Sequence, residues 1–253
     1  MTQVWPYFAA DNRGADIRQW LNELDQYDMS NFESFHQAAL SIGGDGTLLS
    51  LIHENSDCLH LPIFGINRGT CGFLLNSIGS KEELVAALES FERWQIVELQ
   101  MLRVQMHLRD GSTKEEFAFN DAFFKATRGE IAGIVRGENL PDLEFCGDGI
   151  IVSTPQGSTA YNKSAGGSIL SLERGMIAIT SICSALEPIR LSIRDRAIEV
   201  EITRNINQTV FRADRFDTND CIGATITHDG PIVRLAFLPG YKFEKRRYQP
   251  RFK

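Results

Sequence analysis

"AALSIGGDGTLLSLIH" (38–53) runs from a short apolar stretch, Ala38–Ile42, through a glycine loop into a second apolar stretch, Thr47–His53, with helical character. Three glycines surround one carboxylate, Asp45. An acid there contributes nothing to a core, and the glycines clear side chains from around it. The loop is therefore built for something large to approach the backbone. Strand, glycine loop and helix together form one unit of a parallel α/β sheet, whose ligands bind at the carboxyl ends of the strands.

The flanking sequence repeats the pattern. Val4–Ala10 is a strand candidate, and Ala15–Tyr27 follows with Ile17, Trp20, Leu21 and Leu24 at helical spacing. "LPIFGIN" (61–67) is a third buried strand that ends in a second glycine loop. Ser80–Arg93 reads as an amphipathic helix, with Ser80 as N-cap and Glu82 and Glu83 in its first turn. Continuous apolar strands alternating with helices predict a parallel sheet covered on both faces.

Past Glu98 the rhythm changes. "LRVQMHL", "EEFAFNDAFFKA", "DLEFCGDGIIVS", "AIEVEIT" and "VRLAFL" are short, alternating or β-branched, and separated by turn signals. They predict antiparallel structure, interrupted by one helix from Ser158 or Thr159 to about Ala165. The expected fold is an α/β N-terminal domain with a parallel sheet, residues 1–97, and a β-rich domain, residues 98–231, with a ligand in a cleft between them.

Composition narrows the function. At 253 residues, 43% hydrophobic and 23% charged, the chain has the make-up of a soluble globular protein. It has no apolar run of the roughly 18–20 residues that a membrane span needs, and its first residues lack a signal-peptide pattern. Five scattered cysteines without a CxxC pair fit reduced thiols and a cytoplasmic location. The five histidines show no metal-ligand spacing, and no Ser-His-Asp set can be placed. A net charge of −7 argues against a nucleic-acid partner, since only the tail "YKFEKRRYQPRFK" is locally basic.

Three stretches carry candidate chemistry. In the first loop, Gly43, Gly44 and Gly46 let amides face a phosphate, and Thr47 opens a helix whose N-terminus favours an anion. Like charges repel, so Asp45 beside a phosphate must hold a metal, take a proton from an attacking hydroxyl, or cap the turn. The second loop, "GINRGTCGFLL" (65–75), places Phe73 either on a pocket wall or in the core. The third, "CGDGIIVSTPQGSTAYNKSAGGSIL" (146–170), gathers Thr154, Ser158, Thr159, Tyr161 and Ser164 between glycine turns. So many hydroxyls beside one aromatic ring suit a nucleoside.

"GGDGT" (43–47), "GINRGTCGFL" (65–74), the pair Asn120-Asp121 and "GDGIIVSTPQGSTAYNKSAGG" (147–167) resemble the NAD kinase family in order and approximate spacing, over most of the chain. Close versions of GGDGT also occur in diacylglycerol kinases, sphingosine kinases and phosphofructokinases, whereas the third motif is long and specific. The closing "PIVRLAFLPGYKFEKRRYQPRFK" is similar to the family's C-terminal end.

The resemblance implies that residues 232–253 return to the first domain and that the β-rich domain holds the dinucleotide. It implies phosphorylation of the adenosine ribose 2′-hydroxyl of NAD by ATP. A divalent metal, magnesium, assists, and inorganic polyphosphate is an alternative donor. It also implies a homodimer or homotetramer in which a neighbouring subunit can complete the site. Carried over by residue, Asp45 is the general base with Gly46 beside it at the substrate. Asn120 and Asp121 hold adenine and ribose, Asp148 meets the nicotinamide end, and Thr159, Ala160, Tyr161 and Ser164 line the nucleoside pocket. No metal ligand is assigned.

Three places depart from the pattern. Asp121 stands where Glu is usual, "FRADRFD" replaces an Asp-Gly-Gln segment with Asp214 alone aligned, and "SICSALEPIRLS" (181–192) departs from the usual Pro- and His-containing stretch. Two alternatives remain at this level. One is a lipid or sugar kinase sharing only GGDGT, and the other is a non-catalytic dinucleotide-binding regulator.

Overall fold

The computed structural model describes residues 3–24, 36–172, 175–194, 197–242, 245, 247 and 248. The chain divides into two compact units, Met1–Glu98 with Ile232–Lys253, and Leu99–Pro231.

The first unit is built on a five-stranded sheet in the order Val4–Phe8, Ala38–Gly43, Pro62–Asn67, Ile232–Phe237, Gln95–Gln100. The first three strands and Ile232–Phe237 pair in parallel. Val4, Leu40, Ile42, Phe64, Ile66 and Ala236 share a core cluster with Ile17 and Leu21 of helix Ala15–Glu23 and with Leu84 and Leu88 of helix Lys81–Glu89. The intervening residues Ala39, Ile63 and Leu235 are buried as well, so both faces are covered. That explains strands that read as continuous apolar runs. The Ser80 hydroxyl accepts from the Glu83 amide, as expected of an N-cap. The helix stops at Glu89, and Phe91–Arg93 form a separate 3₁₀ turn instead of continuing it. Residues 25–27 of the first predicted helix and most of the basic tail lie outside the described residues.

"VRLAFL" reads locally as part of the antiparallel half. Its strand pairs instead with Pro62–Asn67 in the parallel sheet, through Arg234–Ala236. Asn76, fully buried, secures that return: its Nδ2 donates to the Gly65 and Ala236 carbonyls, and its Oδ1 accepts from the Leu238 amide.

The second unit contains two six-stranded sheets. One has the order Arg190–Ile193, Ile177–Ile182, Gly149–Ser153, Asp121–Ala126, Thr209–Ala213, Phe216–Thr218. The other runs Thr113–Ala118, Leu102–Leu108, Cys221–Thr227, Ala197–Arg204, Ile131–Gly137, Leu140–Gly147. All their pairings are antiparallel. One cluster, including Phe124, Ile150 and Phe211 from the first sheet and Val104, Val135 and Ile226 from the second, forms their shared core. Two segments that read as single strands are broken, at Phe119–Asn120 and at Asp148. Both breaks fall on candidate site residues. None of the five cysteines is in a disulfide among the described residues.

Candidate functional site

In the first unit the helix after the glycine loop begins at Asp45, two residues earlier than Thr47. Gly44 is the N-cap in extended conformation, and its carbonyl accepts from the amides of Thr47 (2.9 Å) and Leu48 (3.3 Å). Asp45 therefore lies in the first turn, where a carboxylate faces the positive end of the helix dipole. Its two oxygens close on the second glycine loop. Oδ2 accepts from the Phe73 amide at 2.9 Å, and Oδ1 from the Leu74 amide at 3.0 Å.

The loops meet backbone to backbone. The Arg68 amide donates to the Gly43 carbonyl at 2.7 Å, and a Cβ on Gly69 would stand 3.0 Å from the Gly44 Cα. Asn67 shapes the second loop by accepting from the Gly69 amide at 2.8 Å, while Gly72, at φ +53°, occupies space where a Cβ would overlap the Asn67 side chain. The Arg68 side chain anchors it, pairing with Asp16 at 2.8 Å. Thr47 is only 9% exposed, with its hydroxyl in the space left by the missing Gly43 side chain. Gly46 is the opposite case. It is exposed, and a Cβ there would meet nothing within 4 Å. Phe73 is half-buried, and Leu74 enters the core.

In the second unit, Asn120 and Asp121 sit at a strand break held from both sides. The Asp214 carboxylate accepts from the amides of Phe119, Asn120 (3.0 Å) and Asp121 (3.3 Å). Thr154 Oγ1 donates to the carbonyls of Phe119 (2.7 Å) and Asn120 (3.0 Å), and Gln156 Nε2 donates to Phe119 (2.7 Å). Asp121 itself is 5% exposed. Burial, and then the neighbouring Asp214 charge, push its carboxyl up to about 8, against a hydrogen bond from the Tyr161 backbone. Near neutral pH it carries a proton and can donate a hydrogen bond.

This sets a pH dependence. Between about 3.8 and about 8 the folded state holds a proton on Asp121 that the unfolded chain has lost. Stability attributable to this group falls as pH rises through that window, by at most about 1.4 kcal/mol per pH unit. Asp121→Asn mimics the protonated acid. Its urea midpoint is expected to exceed the wild-type one by a margin that widens from pH 5 to pH 8.

The third stretch folds as a strand, Gly149–Ser153, then a 3₁₀ turn, Gly157–Thr159, then one helical turn, Tyr161–Ser164. The single predicted helix is thus split at Ala160, whose ψ of −122° is not helical. Several hydroxyls that suggest ligand contacts are used internally. Ser158 Oγ donates to Pro155 at 2.6 Å and accepts from the Leu170 amide at 3.0 Å; Thr159, 3% exposed, donates to Gln156 at 3.3 Å. Asn162, fully buried, donates to Ser158 and Ser168 and accepts from Thr180 Oγ1 at 2.6 Å. Ser164 is exposed, and Tyr161 packs edge-on against Phe123 with ring centroids 5.1 Å apart.

Asp148 lies at the opposite end of this strand pair. Asp121 pairs with Ser153, whereas Asp148 precedes Gly149, the partner of Lys125, so the two acids mark opposite ends of the pair. The Cys183 thiol donates to Asp148, which pushes the thiol pKa up. Asn67, Gln156, Asn162 and Asp214 hold these elements, yet sequence reasoning assigned them no role. For Asn67, Gln156 and Asn162 the only signal is an amide side chain close to glycine and other small residues, whereas Asp214 is the one residue of its segment that aligns with the family pattern.

A parallel sheet carrying a GGDG acid, accompanied by a β-sandwich unit with a glycine-flanked polar segment, defines a phosphotransferase of the GGDG-loop class. Family models agree: the ATP-NAD kinase N-terminal domain matches residues 11–95, and the ATP-NAD kinase C-terminal domain matches residues 134–220. NAD kinases of Rickettsia canadensis (strain McKiel) and Rickettsia felis are each 34% identical to the chain over 233 residues, covering 85% of it and 86% of the relative. The chain belongs to the NAD kinase family. Its fold is similar to that of an NAD kinase from Archaeoglobus fulgidus crystallised with ATP, at a TM-score of 0.72 and 23% identity, covering 97% and 95% of the two chains. Yeast NADH kinase complexed with NADH is similar in fold at a TM-score of 0.75 and 18% identity, covering 98% and 86%.

Proposed function

We propose that this protein is an NAD kinase that transfers the terminal phosphoryl group of ATP to the 2′-hydroxyl of the adenosine ribose of NAD. The observation that carries the mechanism is Asp45: an acid at a helix N-terminus, oriented by two backbone amides, beside open space at Gly46. A ribose hydroxyl is hardly ionised near neutral pH, so a carboxylate that takes its proton as the new P–O bond forms contributes about 10²–10⁴-fold. Fixing the carboxylate from one side leaves its remaining lone pairs for that hydroxyl. The loop amides offset charge on the transferring group.

In this reading Asn120 binds adenine, its side-chain amide having no hydrogen bond among the described residues. Asp121 donates to a ribose oxygen, Tyr161 offers a ring face, Ser164 and the backbone at Thr159 and Ala160 complete the nucleoside pocket, and Asp148 receives the nicotinamide end. Among the described residues no group of three or more His, Cys, Asp or Glu side chains comes together. Magnesium commonly keeps phosphate oxygens and waters as ligands, so in this proposal the triphosphate carries the cation, which supplies charge neutralisation. A homodimer or homotetramer in the cytoplasm, with polyphosphate as a second donor, completes the proposal on the strength of family membership. Among the described residues no helix is long and apolar enough to cross a membrane.

Purified protein given NAD, ATP and magnesium is expected to form NADP, measured by a coupled NADP-specific dehydrogenase assay. Absence of product with any phosphoryl donor, despite NAD binding, would refute the catalytic reading.

A further inference from the structure

The geometry points to a separate seat for the nucleoside of the phosphoryl donor, in a pocket of about 500 Å³ between the end of strand Val4–Phe8 and helix Ala15–Glu23. The inference rests on the kinase reading and adds where the donor's base is held. Phe8, Asp11, Asn12, Arg18, Gln19 and Asn22 line the pocket. Its size is that of a small-molecule site.

Three observations favour a nucleotide over other ligands. First, the Arg18 guanidinium carbon lies 3.9 Å from the centroid of the Phe8 ring and forms no ion pair among the described residues. A guanidinium backed by an aromatic ring presents a flat cationic surface on which a purine stacks. Second, the side-chain amides of Asn12 and Asn22 make no hydrogen bonds among the described residues, leaving donors and acceptors for a base edge. Gln19 differs, because it donates to Glu23 at 2.8 Å. Third, the pocket adjoins the phosphate loop. The Ala9 amide donates to Ile42 at 2.9 Å, and a Cβ on Gly43 would sit 3.1 Å from the Ala9 Cβ. A nucleoside seated on Arg18 sends its phosphates past Ala9 and Ala10 toward Gly43–Gly46, which would leave the NAD positions of the second unit free for the acceptor.

The test is calorimetric titration of the full chain and of Arg18→Ala with ATP, inorganic tripolyphosphate and NAD, each with magnesium. Arg18 is exposed on a helix where alanine is well tolerated, and a thermal melt checks the fold. Loss of the stacking surface is expected to weaken ATP binding about tenfold while tripolyphosphate and NAD affinities hold. Phe8→Leu, which keeps apolar volume and removes the aromatic plane, is expected to give the same split. Unchanged ATP affinity in both variants would overturn the assignment. So would a parallel loss for tripolyphosphate, which would make Arg18 a phosphate contact, or a loss for NAD. Failure of the kinase reading appears separately, as wild-type protein that binds ATP through Arg18 but yields no NADP.

Discussion

Asp45→Asn is expected to lower the rate of NADP formation by about 10²–10⁴-fold, the range for a positioned general base. NAD affinity should change little, because most of the assigned NAD contacts come from the second unit and asparagine keeps the size of the side chain. The substitution also perturbs the loop. The Asp45 carboxylate accepts from Phe73 and Leu74 through different oxygens, and an amide can accept through only one. Its NH₂ group must then face a backbone N–H. Leaving that donor unsatisfied costs about 1–3 kcal/mol. A lower melting temperature should therefore accompany the loss of turnover. Rate constants measured at saturating NAD and ATP, well below the variant's melting temperature, separate the two effects. Turnover within threefold of wild type would remove Asp45 from the base role.

The second large effect concerns two glycines that differ in what surrounds them. At Gly157 a Cβ would fall on the carbonyl oxygen of Asn120 and lie 2.5 Å from its Cα. The Asn120 backbone cannot yield easily, because Thr154, Gln156 and Asp214 all hold the segment Phe119–Asp121. Gly157→Ala is expected to destabilise the fold by about 1–3 kcal/mol and to weaken NAD binding more than tenfold, since Asn120 is displaced directly. Gly46→Ala is the converse. Open space at this position predicts an unchanged or slightly raised melting temperature. A methyl group facing the reacting hydroxyl is nevertheless expected to cut turnover about tenfold or more through misplacement of substrate. Melting temperature, NAD affinity and turnover on both variants check the contrast. A fully active Gly46→Ala would show that no substrate approaches that backbone.

Period and punctuation made the architecture legible. Buried parallel strands such as Ala38–Gly43 must be apolar on both faces, so they stand out as short continuous runs ended by glycine. Strands of the sandwich, such as Leu102–Leu108, bury alternate residues, so they stand out by alternation. The candidate site was legible where a residue type is chemically conspicuous: an acid among glycines at 43–46, or hydroxyls around an aromatic ring at 154–164. Reading those hydroxyls as ligand contacts failed for Ser158 and Thr154. Thr154 satisfies carbonyls at the Phe119–Asn120 strand break and Ser158 a carbonyl of its own turn, demands that appear only once the chain is folded.

By itself, then, the sequence determined the family, the kind of sheet in each half and the acid on which the proposed chemistry turns. These follow from periodicity, glycine placement and motif order, which are properties of neighbouring residues. Only the tertiary structure decided that Asp45 is gripped by the amides of Phe73 and Leu74, that Asp214 braces Asn120, that burial, and then Asp214, raises the Asp121 carboxyl, and that Ile232–Phe237 joins the parallel sheet. Every non-proline residue offers the same backbone donor, so partners tens of residues apart leave no mark in composition or spacing. Charge effects depend on burial and distance, and neither exists until the chain is folded.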